Sequence, residues 1–207
     1  MSASIRHPRL VIVLGLLVLA VLVWSGIAPH ERGTWVLEVA PAVIAAPLLF
    51  FTRKRFPLTT LLYVLIALHA VVLIVGGAYT YARVPLGFWM QDLLQLGRNP
   101  YDKLGHFMQG LVPAMVAREI LLRCAYLTSK PMAAFLSACV AMAISAVYEL
   151  IEWWTALLAG SGATDFLGTQ GDVWDTQSDM FFALIGAVVG VVVLVRLHDR
   201  TILGMRD

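Results

Sequence analysis

Charged side chains are scarce in this chain of 207 residues, in which Asp, Glu, Lys and Arg together make up only 14% of the sequence. Hydrophobic residues make up 60%, the mean hydropathy is +0.82, and the apolar residues come in runs of about 20. A soluble domain of this length could not bury so much apolar surface. The composition therefore excludes a soluble protein and predicts a polytopic membrane protein.

Cysteine is also rare, with only Cys124 and Cys139 in the whole chain. Neither is paired with a histidine, or with the other cysteine, at the spacing of a metal site. We therefore expect both cysteines to be packing residues.

The hydropathy pattern predicts an all-α bundle of about six transmembrane helices, forming a single integral-membrane domain over residues 1–207. The predicted spans are roughly residues 9–28, 35–51, 58–78, 103–125, 132–158 and 176–196. The first span has a short basic lead but a long apolar run and no clear cleavage site, so we expect it to be retained. Residues 84–97 predict an amphipathic helix on the outer surface, where Phe88 and Trp89 would cap the site or guide a lipid to it.

Basic residues are distributed unequally between the two sides of this topology. Eleven lie on the side of the termini and only four lie on the other side, namely Arg32, Arg83, Arg98 and Lys103. The positive-inside rule then predicts that both termini are cytoplasmic in this multi-pass protein. Arg118 and Glu119 fall inside the fourth predicted span, so we expect them either to snorkel inward or to mark its true end.

Ten of the 13 acidic residues fall on the outer side or in the outer halves of the spans, and four of them crowd into the stretch from Asp165 to Met180. This stretch holds Asp165, Asp172, Asp175 and Asp179 but no basic residue, at the start of a long apolar segment. Carboxylates near a membrane interior are costly and tend to mark functional positions. The acidic stretch is therefore the first candidate for a site.

Polar faces of three helices are predicted to converge on this acidic stretch. Asp102, His106 and Gln109 share one face of the fourth span, because they are spaced i, i+4 and i+7. Glu149 and Glu152 end the fifth span, above a small-residue stripe suited to close helix packing. Asp172, Asp175 and Asp179 continue into a Gly-x-x-x-Gly face of the sixth span. Alternatively, Asp172 and Asp175 cap that helix and complement its dipole, although capping does not explain Asp179.

Carboxylates with one imidazole are suitable ligands for Mg²⁺, Mn²⁺, Ca²⁺ or Zn²⁺, and an ion would relieve their mutual repulsion. No fixed metal motif accompanies them, and Lys103, Arg83 and Arg98 are nearby bases that could join the cluster instead. In the metal interpretation, either Glu152 or Asp172 serves as general base. The metal ligands in that interpretation are Asp102, His106, Glu149, Asp175 and Asp179.

Three motifs resemble the YjdF-like family of bacterial inner-membrane proteins, over most of the chain. They are Tyr101-Asp-Lys-Leu-Gly-His106-Phe, Tyr148-Glu-Leu-Ile-Glu152-Trp and Phe166-Leu-Gly-Thr-Gln-Gly-Asp-Val-Trp-Asp-Thr-Gln-Ser-Asp179-Met. The Asp-Lys-x-x-His start is also similar, more distantly, to VanZ-type proteins linked to glycopeptide resistance. The resemblance implies the topology and these positions, without implying a reaction.

Three classes of function remain open. The first is a metal-dependent hydrolase or transferase acting on a lipid or lipid-linked substrate at the outer leaflet. The second is a non-enzymatic carrier or sensor, in which the same carboxylates bind a cation or protons. The third makes the polar residues interhelical contacts for an assembly partner. Membrane lipids are expected partners, nucleic acid is not, and homo-oligomers stay open. The largely apolar inner halves of the spans argue against a channel.

Overall fold

The computed structural model describes residues 7–159, 164–167 and 169–205. These residues form nine helices and no strand, which confirms the all-α prediction. Arg6, Arg206, residues 160–163 and 168, and the side chain of Asp165 lie outside the described residues. The helices are α1 (Pro8–Ile27), α2 (Arg32–Thr52), α3 (Thr60–Tyr79), α4 (Pro85–Leu94), α5 (Tyr101–Arg123), α6 (Lys130–Ala159), α7 (Thr164–Leu167), α8 (Asp175–Val192) and α9 (Val195–Leu203).

Five helices, α1, α2, α3, α6 and α8, are long and apolar enough to cross a membrane by length and composition. The remaining predicted span is α5, whose 23 residues give a helix about 35 Å long, enough for a bilayer core of about 30 Å. Its many polar side chains are tolerated because α5 is surrounded by protein. It packs most extensively on α8, then on α6 and α3. The polar helix therefore forms the centre of the bundle.

The helix α8 approaches α5 through glycines. A Cβ atom on Gly110 of α5 would overlap the carbonyl oxygen of Ala183, and one on Gly186 would overlap the carbonyl oxygen of Phe107. Ala183 and Ala187 are fully buried in the same contact. The predicted Gly-x-x-x-Gly face of α8 therefore does lie against a neighbouring helix, with the two backbones nearly touching.

The small-residue stripe of α6 is buried as predicted. Ser137, Ala141 and Ser145 are each 0% exposed, and Glu149 follows them on the same face. The prediction that both cysteines are packing residues is wrong, because Cys124 and Cys139 are exposed. Cys139 lies two residues from Ser137 and therefore projects away from the stripe, and Cys124 follows the last residue of α5.

The segment predicted to form an amphipathic helix contains α4, which is shorter than that segment. Gly87 is its one buried residue, and it packs directly against Asn99. Phe88 and Trp89 are exposed. The aromatic face of α4 therefore remains available to lipid.

Arg118 and Glu119 neither snorkel nor end the span, contrary to the prediction. Both are 0% exposed, and α5 continues for another turn to Arg123. They are covered by α9, whose first two residues fall within the last predicted span. That span ends earlier than predicted, at Val192, and the chain then turns into α9. We call Thr59, Arg118, Glu119, Arg123, Lys130, His198 and Asp199 the Arg118 network.

Hydrogen bonds in the Arg118 network determine which ring nitrogen of His198 carries the proton. A guanidinium can only donate, so the Nδ1 atom of His198, 3.0 Å from Arg118, accepts a hydrogen bond. Its Nε2 atom then donates to Glu119 at 2.9 Å. Glu119 also accepts from the backbone nitrogen and hydroxyl of Thr59, at 2.9 and 2.7 Å, and from Arg123 at 2.6 Å. The network thus fastens α9 and the start of α3 to α5.

We expect the stabilising effect of Asp199 to disappear in acid. Burial disfavours the charge of Asp199, but hydrogen bonds from Lys130 and Arg118 outweigh burial and lower its pKa below 3.8. A carboxylate with a lower pKa in the folded state stabilises the fold above its unfolded pKa and loses this effect as the pH falls through the folded value. The melting temperature of the parent should exceed that of Asp199→Asn near neutral pH, and the difference should shrink from about pH 5 towards about pH 3. A difference that is constant with pH would contradict this.

Candidate functional site

The acidic stretch docks onto the segment that leads into α5. Arg98 donates to the carbonyl oxygen of Thr169 at 2.7 Å, and the side chain of Gln170 bonds both backbone groups of Asn99, at 3.2 and 3.0 Å. Asn99 in turn precedes α5, and its side chain accepts from the backbone nitrogen of Tyr101, the first residue of that helix. The last of the three motifs therefore contacts the residues that immediately precede the first motif.

A group of polar side chains lies at this end of the bundle, held by α2, α5, α6 and α8. Most of these polar side chains are buried within the otherwise apolar interior of the bundle. We call this group the His106 cluster: Glu38, Asp102, Lys103, His106, Gln109, Tyr148, Glu149, Glu152, Asp175 and Asp179.

His106 is at the centre of the cluster. Its Nε2 atom is 3.5 Å from Asp102 and 3.7 Å from Asp179, and its Nδ1 atom is 3.8 Å from Glu149. Nδ1 also lies 3.1 Å from the side-chain oxygen of Gln109. The structure therefore brings four of the five predicted metal ligands to one imidazole.

Asp175, the fifth predicted ligand, faces basic groups instead. Its Oδ1 atom lies 2.7 Å from Arg98 and 2.9 Å from Lys103. Lys103 is also 2.6 Å from Asp179. These basic side chains give one half of the cluster its own counter-charges.

Asp172 lies at the rim of the cluster, half-exposed, rather than inside it. It pairs with Arg98 at 3.0 Å and accepts from the backbone nitrogen of Trp174 just before α8. The N-cap residue of α8 is Trp174 and, among the described residues, no side chain caps this helix, so Asp172 is not the cap considered from the sequence. Burial disfavours the charge of Arg98, but its hydrogen bond and ion pairs with Asp175 and Asp172 outweigh that and raise its pKa.

Within the described residues, neither Glu149 nor Glu152 forms a salt bridge with a lysine or an arginine. Glu149 is 7% exposed, and among the described residues neither of its carboxylate oxygens has a hydrogen-bond partner. A buried polar group without a partner is costly, and it calls for an explanation such as a bound ion. His106 is the nearest basic group to Glu149 in the described part of the chain.

A cavity of about 20 Å³, with room for one water-sized species, is lined by Glu152 but not by Glu149. Asp175 and Asp179 do not line it, and neither do Phe88 and Trp89. The predicted aromatic cap therefore does not cover this cavity. The residues that line it are Glu38, Leu73, Tyr81, Asp102, Gly105, His106, Gln109, Tyr148 and Glu152.

Glu38 and Tyr148 were not predicted to belong to the site. Glu38 of α2 is 4% exposed and accepts a hydrogen bond from Tyr148 of α6 at 3.2 Å. A carboxylate inside an otherwise apolar span was the available signal for Glu38. Lys103 was recognised only as a nearby base, because its spacing on α5 does not reveal that it reaches α8.

The separations around His106 suit a shared ion. In a tetrahedral site with metal–ligand distances of about 2.1 Å, two ligand atoms lie about 3.4 Å apart, whereas a hydrogen bond to an imidazole nitrogen is shorter, at about 2.7–3.2 Å. Two groups of residues bring their ligand atoms within 4.8 Å of one another. These are Asp102, His106 and Asp179, and His106, Glu149 and Glu152.

Known proteins match over nearly the whole chain. A family described as predicted membrane protein (DUF2238) matches residues 10–200, a range that contains every member of the His106 cluster and of the Arg118 network. The inner membrane protein YjdF of Escherichia coli (strain K12) is 62% identical over 180 residues, which cover 87% of this chain and 86% of that protein. No solved structure matches. The YjdF-like resemblance is confirmed, and the more distant VanZ-type resemblance stays a prediction.

Proposed function

This chain belongs to the DUF2238 family and is a multi-pass inner-membrane protein, and from that premise we propose that it binds a cation in the His106 cluster and acts as a non-enzymatic, cation- or proton-linked carrier or sensor. The observation that carries the proposal is the charge of the cluster. Six carboxylates, those of Glu38, Asp102, Glu149, Glu152, Asp175 and Asp179, face only three basic groups, those of Lys103, His106 and Arg98. A cation or bound protons must supply the missing positive charge, because unpaired buried charges are strongly destabilising.

The size of the cavity favours binding over catalysis on a lipid. Space for one water-sized species suits a cation or a water molecule, whereas a phosphoryl or acyl group with its attacking water needs more room. The basic groups neutralise only half of these carboxylates. The remaining carboxylates can bind either protons or a cation, which supports exchange of one for the other. On this proposal, both termini are cytoplasmic and the cluster opens to the outer side.

A metal-dependent hydrolase or transferase is the second candidate, and one observation favours it. Glu152 lines the cavity beside His106, where a carboxylate could take a proton from a water molecule. Asp172, the other predicted base, pairs with Arg98 outside the cavity. This candidate requires a lipid-linked substrate to reach the cavity from the outer leaflet.

Proteoliposomes distinguish the two candidates. We expect purified protein to bind Mn²⁺ or Zn²⁺, or to move it across the bilayer under an imposed pH gradient, without hydrolysing phosphate or acyl esters of lipids. A Glu152→Gln variant should weaken binding or flux. Ester hydrolysis that requires the metal and disappears in Glu152→Gln would contradict the carrier or sensor and establish the enzyme.

A further inference from the structure

The His106 cluster has two halves, which meet at His106. On one side, the ammonium group of Lys103 lies between Asp175 and Asp179, at 2.9 and 2.6 Å, and 3.8 Å from Asp102. On the other side are Glu149 and Glu152. We refer to these as the lysine half and the glutamate half.

We propose that the exchangeable cation binds in the glutamate half, to His106, Gln109, Glu149 and Glu152, and that Lys103 is a built-in counter-ion that keeps the ion out of the lysine half. This inference rests on the proposed function, since it specifies where in the cluster that cation binds.

Electrostatic repulsion argues against the lysine half. The Oδ1 atom of Asp179 that faces His106 is the same atom that Lys103 contacts at 2.6 Å. A divalent ion bound to that oxygen would be only a few ångströms from the ammonium group, and like charges at such distances repel strongly in a poorly hydrated interior. Arg98 adds a second positive charge at Asp175.

The glutamate half provides both a vacancy in hydrogen bonding and space. Both oxygens of Glu149 are buried without a hydrogen-bond partner among the described residues, and the cavity is lined by His106, Gln109 and Glu152. The Nδ1 atom of His106 lies 3.1 Å from the amide oxygen of Gln109 and 3.8 Å from Glu149. The first separation is that of a hydrogen bond, whereas the second is close to the spacing of neighbouring ligand atoms around an ion, and ligand atoms of His106, Glu149 and Glu152 lie within 4.8 Å of one another.

The ligand set indicates the class of ion. One imidazole nitrogen with carboxylate and amide oxygens suits Mn²⁺ or Zn²⁺, whereas Ca²⁺ prefers six to eight oxygen ligands and Mg²⁺ keeps several waters. A cavity for one water-sized species leaves little room for such a hydration shell. The ion in this site is therefore a small, partly dehydrated transition-metal cation.

Equilibrium binding of Mn²⁺ and of Zn²⁺ to the full chain in detergent tests whether the ion binds in the glutamate half. We expect one ion per chain in the parent and a loss of affinity of at least about 100-fold in Glu149→Gln, which removes a directly coordinating charge. The matched control is Asp175→Asn in the lysine half, which should change the affinity less than about threefold. If Asp175→Asn does not fold, Asp179→Asn serves as the control instead. Lys103→Met should raise the stoichiometry to two, because Asp102, Asp175 and Asp179 would then need a cation.

The outcomes separate this inference from the proposed function. A parent that binds neither ion would overturn the proposed function itself. A parent that binds an ion, with Asp175→Asn losing it and Glu149→Gln retaining it, would overturn only the assignment to the glutamate half. A stoichiometry of one in Lys103→Met, with unchanged affinity, would overturn the role of Lys103 as a counter-ion.

Discussion

Alanine at Gly110 or Gly186 is expected to separate α5 from α8 and to leave little correctly folded protein. The added methyl group would meet a backbone carbonyl oxygen of the opposite helix, from Ala183 or Phe107 respectively, and a backbone cannot move aside as a side chain can. Overpacking in a close-packed core costs about 1–3 kcal/mol, and a clash between backbones belongs at or above the upper end of that range. Because α5 carries four members of the His106 cluster, more than any other helix, cation binding should be lost together with the fold.

The fraction of protein that remains monodisperse in detergent, with its melting temperature, measures this effect. Gly15→Ala is the matched control, since no atom lies within 4 Å of a Cβ on Gly15 of α1. Alanine stabilises a helix interior by about 0.5–1 kcal/mol relative to glycine, so this control should be at least as stable as the parent. Equal stability of Gly110→Ala and Gly15→Ala would show that α5 and α8 do not cross as described.

The second large effect is expected for Glu119→Gln in the Arg118 network. Glu119 accepts four hydrogen bonds, from the backbone and hydroxyl of Thr59, from Arg123 and from His198. A glutamine would turn an amide donor towards these donors and leave the positive charge of Arg123 without the carboxylate that it contacts at 2.6 Å. Breaking a buried ion pair in this way destabilises a protein by about 3–5 kcal/mol.

Thermal or denaturant unfolding in detergent checks this prediction against Asp92→Asn on α4. Asp92 is an exposed carboxylate with no salt bridge within the described residues, and its substitution should change stability by no more than about 0.5 kcal/mol. If the two variants unfold alike, the Arg118 network does not hold α9 and α3 to α5.

The sequence predicted those features that depend on spacing along one helix. The i, i+4 and i+7 spacing placed Asp102, His106 and Gln109 on one face of α5, and the small-residue stripes of α6 and α8 predicted which faces are buried. Helix periodicity alone fixes these relations, so no knowledge of the neighbouring helices was needed.

Contacts between helices were not predictable in the same way. Whether Lys103 reaches Asp179 on α8, or whether Glu38 of α2 joins the cavity, depends on how the helices rotate and tilt, which residue spacing does not encode. The Arg118 network was missed because α9 was partly read as the end of the last span. The spacing of four between His198 and Ile202, both buried, was the signal of a separate amphipathic helix.

The metal content of the protein, purified in detergent and measured by elemental mass spectrometry, tests the central claim most directly. The comparison is with a folded His106→Ala, Asp179→Asn double variant, after both proteins have been incubated with Mn²⁺ or Zn²⁺. The account predicts one equivalent of metal in the parent and its loss in the double variant, because His106 is the residue common to both candidate groups of ligands. Absence of metal from the parent, or equal metal in both proteins, would contradict it.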